Sequence, residues 1–477
     1  MNTISYNIAA DRATSPINVG VKVNLDGSDH YGIVANTANG DGNDEIYNFV
    51  NILGSSLSDT LVGNASVNQI DGGAEADFID GLGGDDILNG GLGHDTFKMS
   101  LNDGKDRLDG EGGKDTADYS NLTGADARGI KVELDEENLV NVVIDSNSNG
   151  TFDIVSGDLY DEIKNIENIT GGDGDDFITG DVQKNVLRGN GGVDNLEGDA
   201  GDDTIYGGSE GDVLHGDAGE DDLYGDEGND NLLGGVGADN LYGGAGDDNL
   251  SGGDDLDYID GGEDDETNGD SIDYSSEDAK LTLNLSHEGE NVAGYSTAKI
   301  DNVATDYLTG IENVKGTRFS DNIIGDSGKN TIQGLSGSDV IAGEGGDDNL
   351  LGGEGDDTFK AGLDNAGHTS IVDGDDGRDT IDGGDHTIDG GTTQGSSNPF
   401  EGKGDTVDYS VISNSIQVTL DGSTDATVTV GGVDTLGGDG TITAVDYYDD
   451  VIKNIEHVTG GTANDSITGD SLGNTLK

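Results

Sequence analysis

From Gly171 to Asp260 the chain reads GGDGDDFIT GDVQKNVLR GNGGVDNLE GDAGDDTIY GGSEGDVLH GDAGEDDLY GDEGNDNLL GGVGADNLY GGAGDDNLS GGDDLDYID, ten units of nine without a slip. Glycine opens every unit. The sixth position is Asp176, Asn185, Asp194, Asp203, Asp212, Asp221, Asp230, Asp239, Asp248 and Asp257, and the eighth is always Ile or Leu. Glycines allow tight turns with backbone angles that other side chains resist. The last three residues of each unit form a short strand, with one inward apolar side chain between two outward ones. A single unit cannot bury that side chain, so units must stack. Alternate units then form opposite walls, Ile178, Leu196, Leu214, Leu232 and Leu250 lining one and Leu187, Ile205, Leu223, Leu241 and Ile259 the other. The pattern predicts an all-β solenoid with a thin apolar core.

Stacking creates an electrostatic problem. Carboxylates eighteen residues apart come to lie one strand spacing from each other, roughly 4.8 Å. The 477-residue chain has 21 Lys+Arg against 99 Asp+Glu, a net charge of −78, and only 31% of its residues are apolar. That composition alone belongs to disordered chains, so a fold requires something to neutralise the acid. Calcium, a hard cation that prefers oxygen ligands, would sit between two loops and turn the repulsion into a cross-link, with turn carbonyls completing its shell. The same charge argues against nucleic acid and anionic membrane surfaces as partners. No apolar run is long enough to insert across a membrane, and the opening MNTISYNIAADRAT lacks the apolar stretch of a secretory signal. Without cysteine there is no disulfide, thiolate zinc site or thiol nucleophile.

The register recurs at 54–98 (GSSLSDTLV to GGLGHDTFK), with GEGGKDTAD at 110–118. It returns at 316–360 (GTRFSDNII to GGEGDDTFK) and starts again at 460–477 (GGTANDSIT, GDSLGNTLK). These units resemble the RTX (repeats-in-toxin, hemolysin-type) calcium-binding family, with its GGxGxDxUx signature. The resemblance implies a right-handed parallel β-roll holding multiple Ca2+ ions between loops two units apart. It also implies the sixth-position aspartates as side-chain ligands. Outside 171–260 these are Asp59, Asp77, Asp86, Asp95, Asp115, Asp321, Asp339, Asp348, Asp357, Asp379 and Asp465. Asp379 falls in 361–404, where the register is lost. Asn68, Asn185, Asn330 and Asn474 occupy the second unit of each block, where an uncharged amide makes a weaker or differently capped site.

Blocks at 54–118, 171–273, 316–408 and 460–477 alternate with strand-rich segments at 1–53, 119–170, 274–315 and 409–459. Each segment carries an alternating strand: VKVNL at 21–25, IKVEL at 130–134, LTLNL at 281–285, IQVTL at 416–420. Three are entered through Asp-Tyr-Ser at Asp118, Asp273 and Asp408, and all leave through related exits such as EIKNIENITG and VIKNIEHVTG. They read either as wider coils of one solenoid or as separate sandwiches. Their shortness and the lack of linkers favour the solenoid. Within DSNSNGTFD, Asp145, Asn147, Asn149 and Asp153 match an EF-hand-type loop whose glutamate is replaced by Ser156. The loop is a polar turn or one more calcium site.

Tyr206, Tyr224 and Tyr242 sit eighteen apart at the outward ninth position. They should stack as a ladder, which either stabilises neighbouring strands or forms a contact surface for self-association or a glycan. Seven scattered histidines show no metal-site spacing, and no nucleophile triad or phosphate loop stands out, so no enzyme is expected. An ice-binding surface would need flat threonine arrays, whereas the outward positions are mixed. The leading expectation is an extracellular calcium-binding structural or adhesive protein, a surface-layer, filament or matrix component that folds on calcium after secretion. The alternative is the calcium-binding carrier region of a larger type I-secreted enzyme or toxin. Lys477 falls on a ninth position just as a block begins, which suggests that the natural chain continues.

Overall fold

A computed structural model describes residues 50–101, 103–124, 128–135, 138–145, 152, 159–264, 267–286, 295–301, 303–346, 348–355 and 357–360. Outside these it describes 3–5, 22–25, 37–39, 43–45, 380–382, 406–408, 416–420, 426–430, 448–453, 455, 457–460, 465–469 and 475–477. Every regular element among the described residues is a strand. The chain divides into two compact units, Met1–Gly246 with Gly252–Asp254, and Asp247–Ser251 with Asp255–Lys477.

In the first unit the nine-residue period closes half a coil, so each strand pairs in parallel with one eighteen residues away. One wall contains Phe177–Thr179, Asn195–Glu197, Val213–Ala218 and Asn231–Val236 in register. The other contains Asn168–Thr170, Val186–Gly191, Thr204–Ser209, Asp222–Glu227 and Asn240–Ala245. All ten eighth-position side chains between Ile178 and Ile259 are at most 1% exposed. The fold is the parallel β-solenoid that the repeat predicts.

The strand-rich segments do not leave the solenoid. In 119–170, Ile130–Glu133, Val140–Ile144 and Leu159–Lys164 form an antiparallel meander. Its outer strands pair in parallel with Phe177–Thr179 and Arg107–Gly113, so the meander is spliced into one wall. The opposite wall passes directly from Thr116–Asp118 to Asn168–Thr170. The second unit repeats the plan. Leu281–Asn284, Ser296–Ile300 and Val303–Thr309 form a meander between Asn322–Ile324 and Asp257–Asp264, while Ser271–Asp273, Asn313–Lys315 and Thr331–Ser336 run on in parallel. Simple wider coils do not describe these segments, because neighbouring strands joined by a short link pair antiparallel, whereas parallel pairing needs a full crossover.

The opening glycine serves space rather than backbone conformation. A Cβ on Gly189 would lie 1.9 Å from Asp194 Oδ2 and 2.7 Å from the Gly207 carbonyl oxygen. The left-handed angles fall at the second and fourth positions, as at Gly235 (φ +116°) and Gly237 (φ +140°).

Each coil has so few core side chains that losing one should be felt. We expect Leu214→Ala to cost about 2–5 kcal/mol in denaturant unfolding of the calcium-loaded chain. Val236→Ala, on a residue 55% exposed, should change stability by less than about 0.5 kcal/mol.

Candidate metal centre

The sixth and eighth positions are two residues apart on an extended chain, so the aspartate enters the same face as the core leucine. Asp194, Asp203, Asp212 and Asp221 are accordingly at most 1% exposed. Burial obliges each carboxylate to find donors. Oδ1 finds one in the backbone N–H of the sixth-position residue one coil back. Asp176 N–H donates to Asp194 at 2.8 Å, Asp194 N–H to Asp212 at 2.8 Å and Asp212 N–H to Asp230 at 2.7 Å. The facing column runs from Asn185 to Asp203, Asp221 and Asp239 at 2.7–2.9 Å. In the first block the same bonds join Asp59 to Asp77, Asp77 to Asp95 and Asn68 to Asp86. In the third they join Asp321 to Asp339, Asp339 to Asp357 and Asn330 to Asp348.

The second oxygen is different. Oδ2 of Asp77, Asp86, Asp95, Asp115, Asp194, Asp203, Asp212, Asp221 and Asp339 is buried and accepts no hydrogen bond. It rests against the opening glycine of its unit, and at Asp77, Asp194, Asp203, Asp212, Asp221 and Asp339 also beside the carbonyl of the glycine one coil on, as Asp203 Oδ2 does near Gly216. Anionic oxygen with neighbouring carbonyls is the donor set of calcium, and it suits neither zinc nor copper. Among the described residues no three His, Asp or Glu side chains cluster as a metal cage. An ion in this column would therefore draw most of its ligands from loop backbone.

Burial works against charge on these groups. Loss of water raises Asp194 to about 9, with the Asp176 charge adding to it. Desolvation likewise raises Asp77 to about 8, and Asp86, Asp221 and Asp339 to about 7.

Asp230, Asp239, Asp248, Asp257, Asp348 and Asp357 are buried in the same columns. Asp465 lies against its opening Gly460. Asp145 is buried after its strand, whereas Asn147, Asn149, Asp153, Asp379 and Asn474 lie outside the described residues. Two column members escape the nine-residue frame. Asp106 accepts from Asp86 N–H and Asp270 from Asp248 N–H, both at 2.8 Å, across spacings of 20 and 22. The usable signal was the aspartate two places before an inward apolar residue, Leu108 or Ile272.

The tyrosines stack as the spacing predicts. Tyr206–Tyr224 and Tyr224–Tyr242 have centroids 4.8 Å apart and planes within 9° and 5° of parallel, and Arg188 covers Tyr206 at 4.6 Å. Both faces of Tyr224 are thus occupied by its neighbours.

The RTX calcium-binding nonapeptide repeat model matches residues 53–81, 62–97, 165–196, 197–232, 233–265, 308–341 and 324–359. Over those residues the chain carries RTX calcium-binding nonapeptide repeats. Its first three blocks carry the calcium-binding unit; the stretches 110–118 and 460–477 lie outside the matches. No curated protein matches the chain.

The raised carboxyls set a pH dependence for the metal-free chain. Their folded values lie above the unfolded value of 3.8. The protonated form thus favours the fold, fully below about pH 4, and that stability is lost as pH rises through about 6 to 9. We expect the chelated chain to gain far-UV β signal as pH is lowered from 9 toward 4.5. Loss of β signal on acidification would contradict the assignment.

Proposed function

We propose that the protein is an extracellular structural or adhesive element whose solenoid forms when calcium becomes available outside the cell. The observation that carries this reading is the column of buried carboxylate oxygens without donors. An ionised column of that kind is unfavourable until a cation joins it. Calcium, when bound, supplies the positive charge that offsets neighbouring carboxylates, and its binding free energy becomes folding free energy. The chain's own residues do the rest. Oδ1 ties each loop to the one before, the opening glycine leaves room for Oδ2, and the eighth-position leucine closes the core beneath.

Two features support a structural role over a purely carrier one. Nearly all of the described chain is solenoid, strand-rich segments included, and its surface repeats at a fixed spacing. Within the tyrosine ladder both faces of Tyr224 are taken up by Tyr206 and Tyr242, and Arg188 lies over Tyr206, so these two rings offer edges more than flat platforms. That favours strand stabilisation or contact with another copy over stacking on a sugar ring. Export through a type I route fits a chain that stays extended at low calcium.

Sedimentation velocity of the full chain over rising calcium, with magnesium as control, tests the proposal. A structural element should form larger species in the calcium range where β signal appears. A single monomeric species at saturating calcium would overturn it in favour of the carrier reading.

A further inference from the structure

Among the described residues the first two repeat blocks begin and end, and the third begins, in hydrogen bonds rather than in open loops. We propose that these ends are protein-only caps, and that calcium is confined to the loops between them. The inference rests on the calcium reading above and concerns where the ions stop.

At the opening end the first aspartate has both oxygens engaged. Asp176 accepts from Ile130 N–H at 2.6 Å and from Gly172 N–H at 3.0 Å. Asp321 accepts from Leu281 N–H and Thr317 N–H, both at 2.7 Å, and from the Thr317 hydroxyl at 2.8 Å. Asp59 takes Ser55 N–H at 2.5 Å and the Ser55 hydroxyl at 2.9 Å. Interior aspartates such as Asp77, Asp194, Asp212 and Asp339 instead have Oδ2 buried with no hydrogen-bond donor.

The second unit explains its asparagine. Asn185 accepts Asp181 N–H on Oδ1 at 2.8 Å and donates from Nδ2 to the Glu167 carbonyl at 2.7 Å. Asn68 does the same with Asn64 N–H and the Val50 carbonyl, both at 2.7 Å. Asn330 does it with Asp326 N–H and the Glu312 carbonyl, both at 2.9 Å. One coil back from each asparagine stands a carbonyl, where interior positions find an N–H. The N–H groups of Glu167 and Glu312 are already given to the carbonyls of Asp115 and Asp270. An aspartate here would set oxygen against oxygen, so the amide is required as a donor and both its ends are used.

The closing end is supplied by the strand-rich segments. On one wall the last N–H of the column finds a glutamate: Asp115 donates to Glu167 Oε2 at 2.7 Å, and Asp270 to Glu312 Oε2 at 2.8 Å. On the other it finds an aspartate held by a tyrosine. Asp106 N–H donates to Asp161 Oδ1 at 2.9 Å, and the Tyr119 hydroxyl to Oδ2 at 3.0 Å. Asp257 N–H donates to Asp306 Oδ1 at 3.4 Å, and the Tyr274 hydroxyl to Oδ2 at 2.5 Å. Tyr119 and Tyr274 are 0% and 5% exposed. They are the tyrosines of the Asp-Tyr-Ser entries, and Glu167 and Glu312 belong to the shared exits. Each glutamate closes one block with its side chain and receives the next through its carbonyl.

The test counts ions and measures stability on the full chain, by equilibrium dialysis against calcium with atomic absorption and by thermal unfolding. Asn185→Ala and Tyr119→Phe should bind the wild-type number of ions while melting at lower temperature. Asp212→Ala should bind at least one ion fewer. A folded Asn185→Ala that loses ions as Asp212→Ala does would overturn the caps. Should Asn185→Ala not fold, Asn185→Asp decides: an unchanged ion count with lower stability supports the caps, and an extra ion refutes them. Wild-type chain that takes up no calcium would instead sink the reading beneath.

Discussion

The hydrogen bond from one buried aspartate's N–H to the carboxylate of the next, one coil on, is the contact on which the solenoid depends. It gives each loop a fixed partner, and it draws a charged side chain into the interior to make that bond. Once inside, the carboxylate has a second oxygen to satisfy. The opening glycine follows from this, because any Cβ there would occupy the space of that oxygen. So does the composition: one carboxylate is buried for nearly every inward leucine or isoleucine, and the apolar core is correspondingly thin. A chain built this way needs a cation in a way that an ordinary β-solenoid does not.

Periodicity made the body of the fold legible. The walls, their register and every eighth-position core residue from Ile178 to Ile259 were readable because one nine-residue rule places them all. The sixth-position aspartates were readable as a column for the same reason. What was not legible was how one carboxylate divides its two oxygens, since composition and spacing do not distinguish Oδ1 from Oδ2. Asp106 and Asp270 were missed because longer loops break the frame in which they were sought. Asn185 looked like a weakened aspartate. It is a donor matched to a carbonyl, a distinction that depends on the peptide orientation at Glu167.

The strand-rich segments acquire a purpose in this account. The segments at 119–170 and 274–315 each splice a meander into one wall, deliver an N–H to the first aspartate of the next block, and return side chains that finish the previous one. Block and segment are therefore complementary parts, which gives a physical reason for their alternation along the chain. The caps satisfy the ends without an ion, while interior loops keep an oxygen available to one. On the proposal made here calcium acts only where carboxylates follow one another coil after coil.

The central claim is that calcium binding and formation of the solenoid are one event. Calcium added to the chelated chain at pH 7.5, with far-UV circular dichroism and proton release recorded together, tests it most directly. An unfolded chain has its aspartates already ionised near pH 7.5, whereas a preformed metal-free roll holds protons on its raised carboxyls. The account predicts a cooperative rise in β signal with few protons released. A β signal already complete before calcium, with protons released ion by ion, would contradict it.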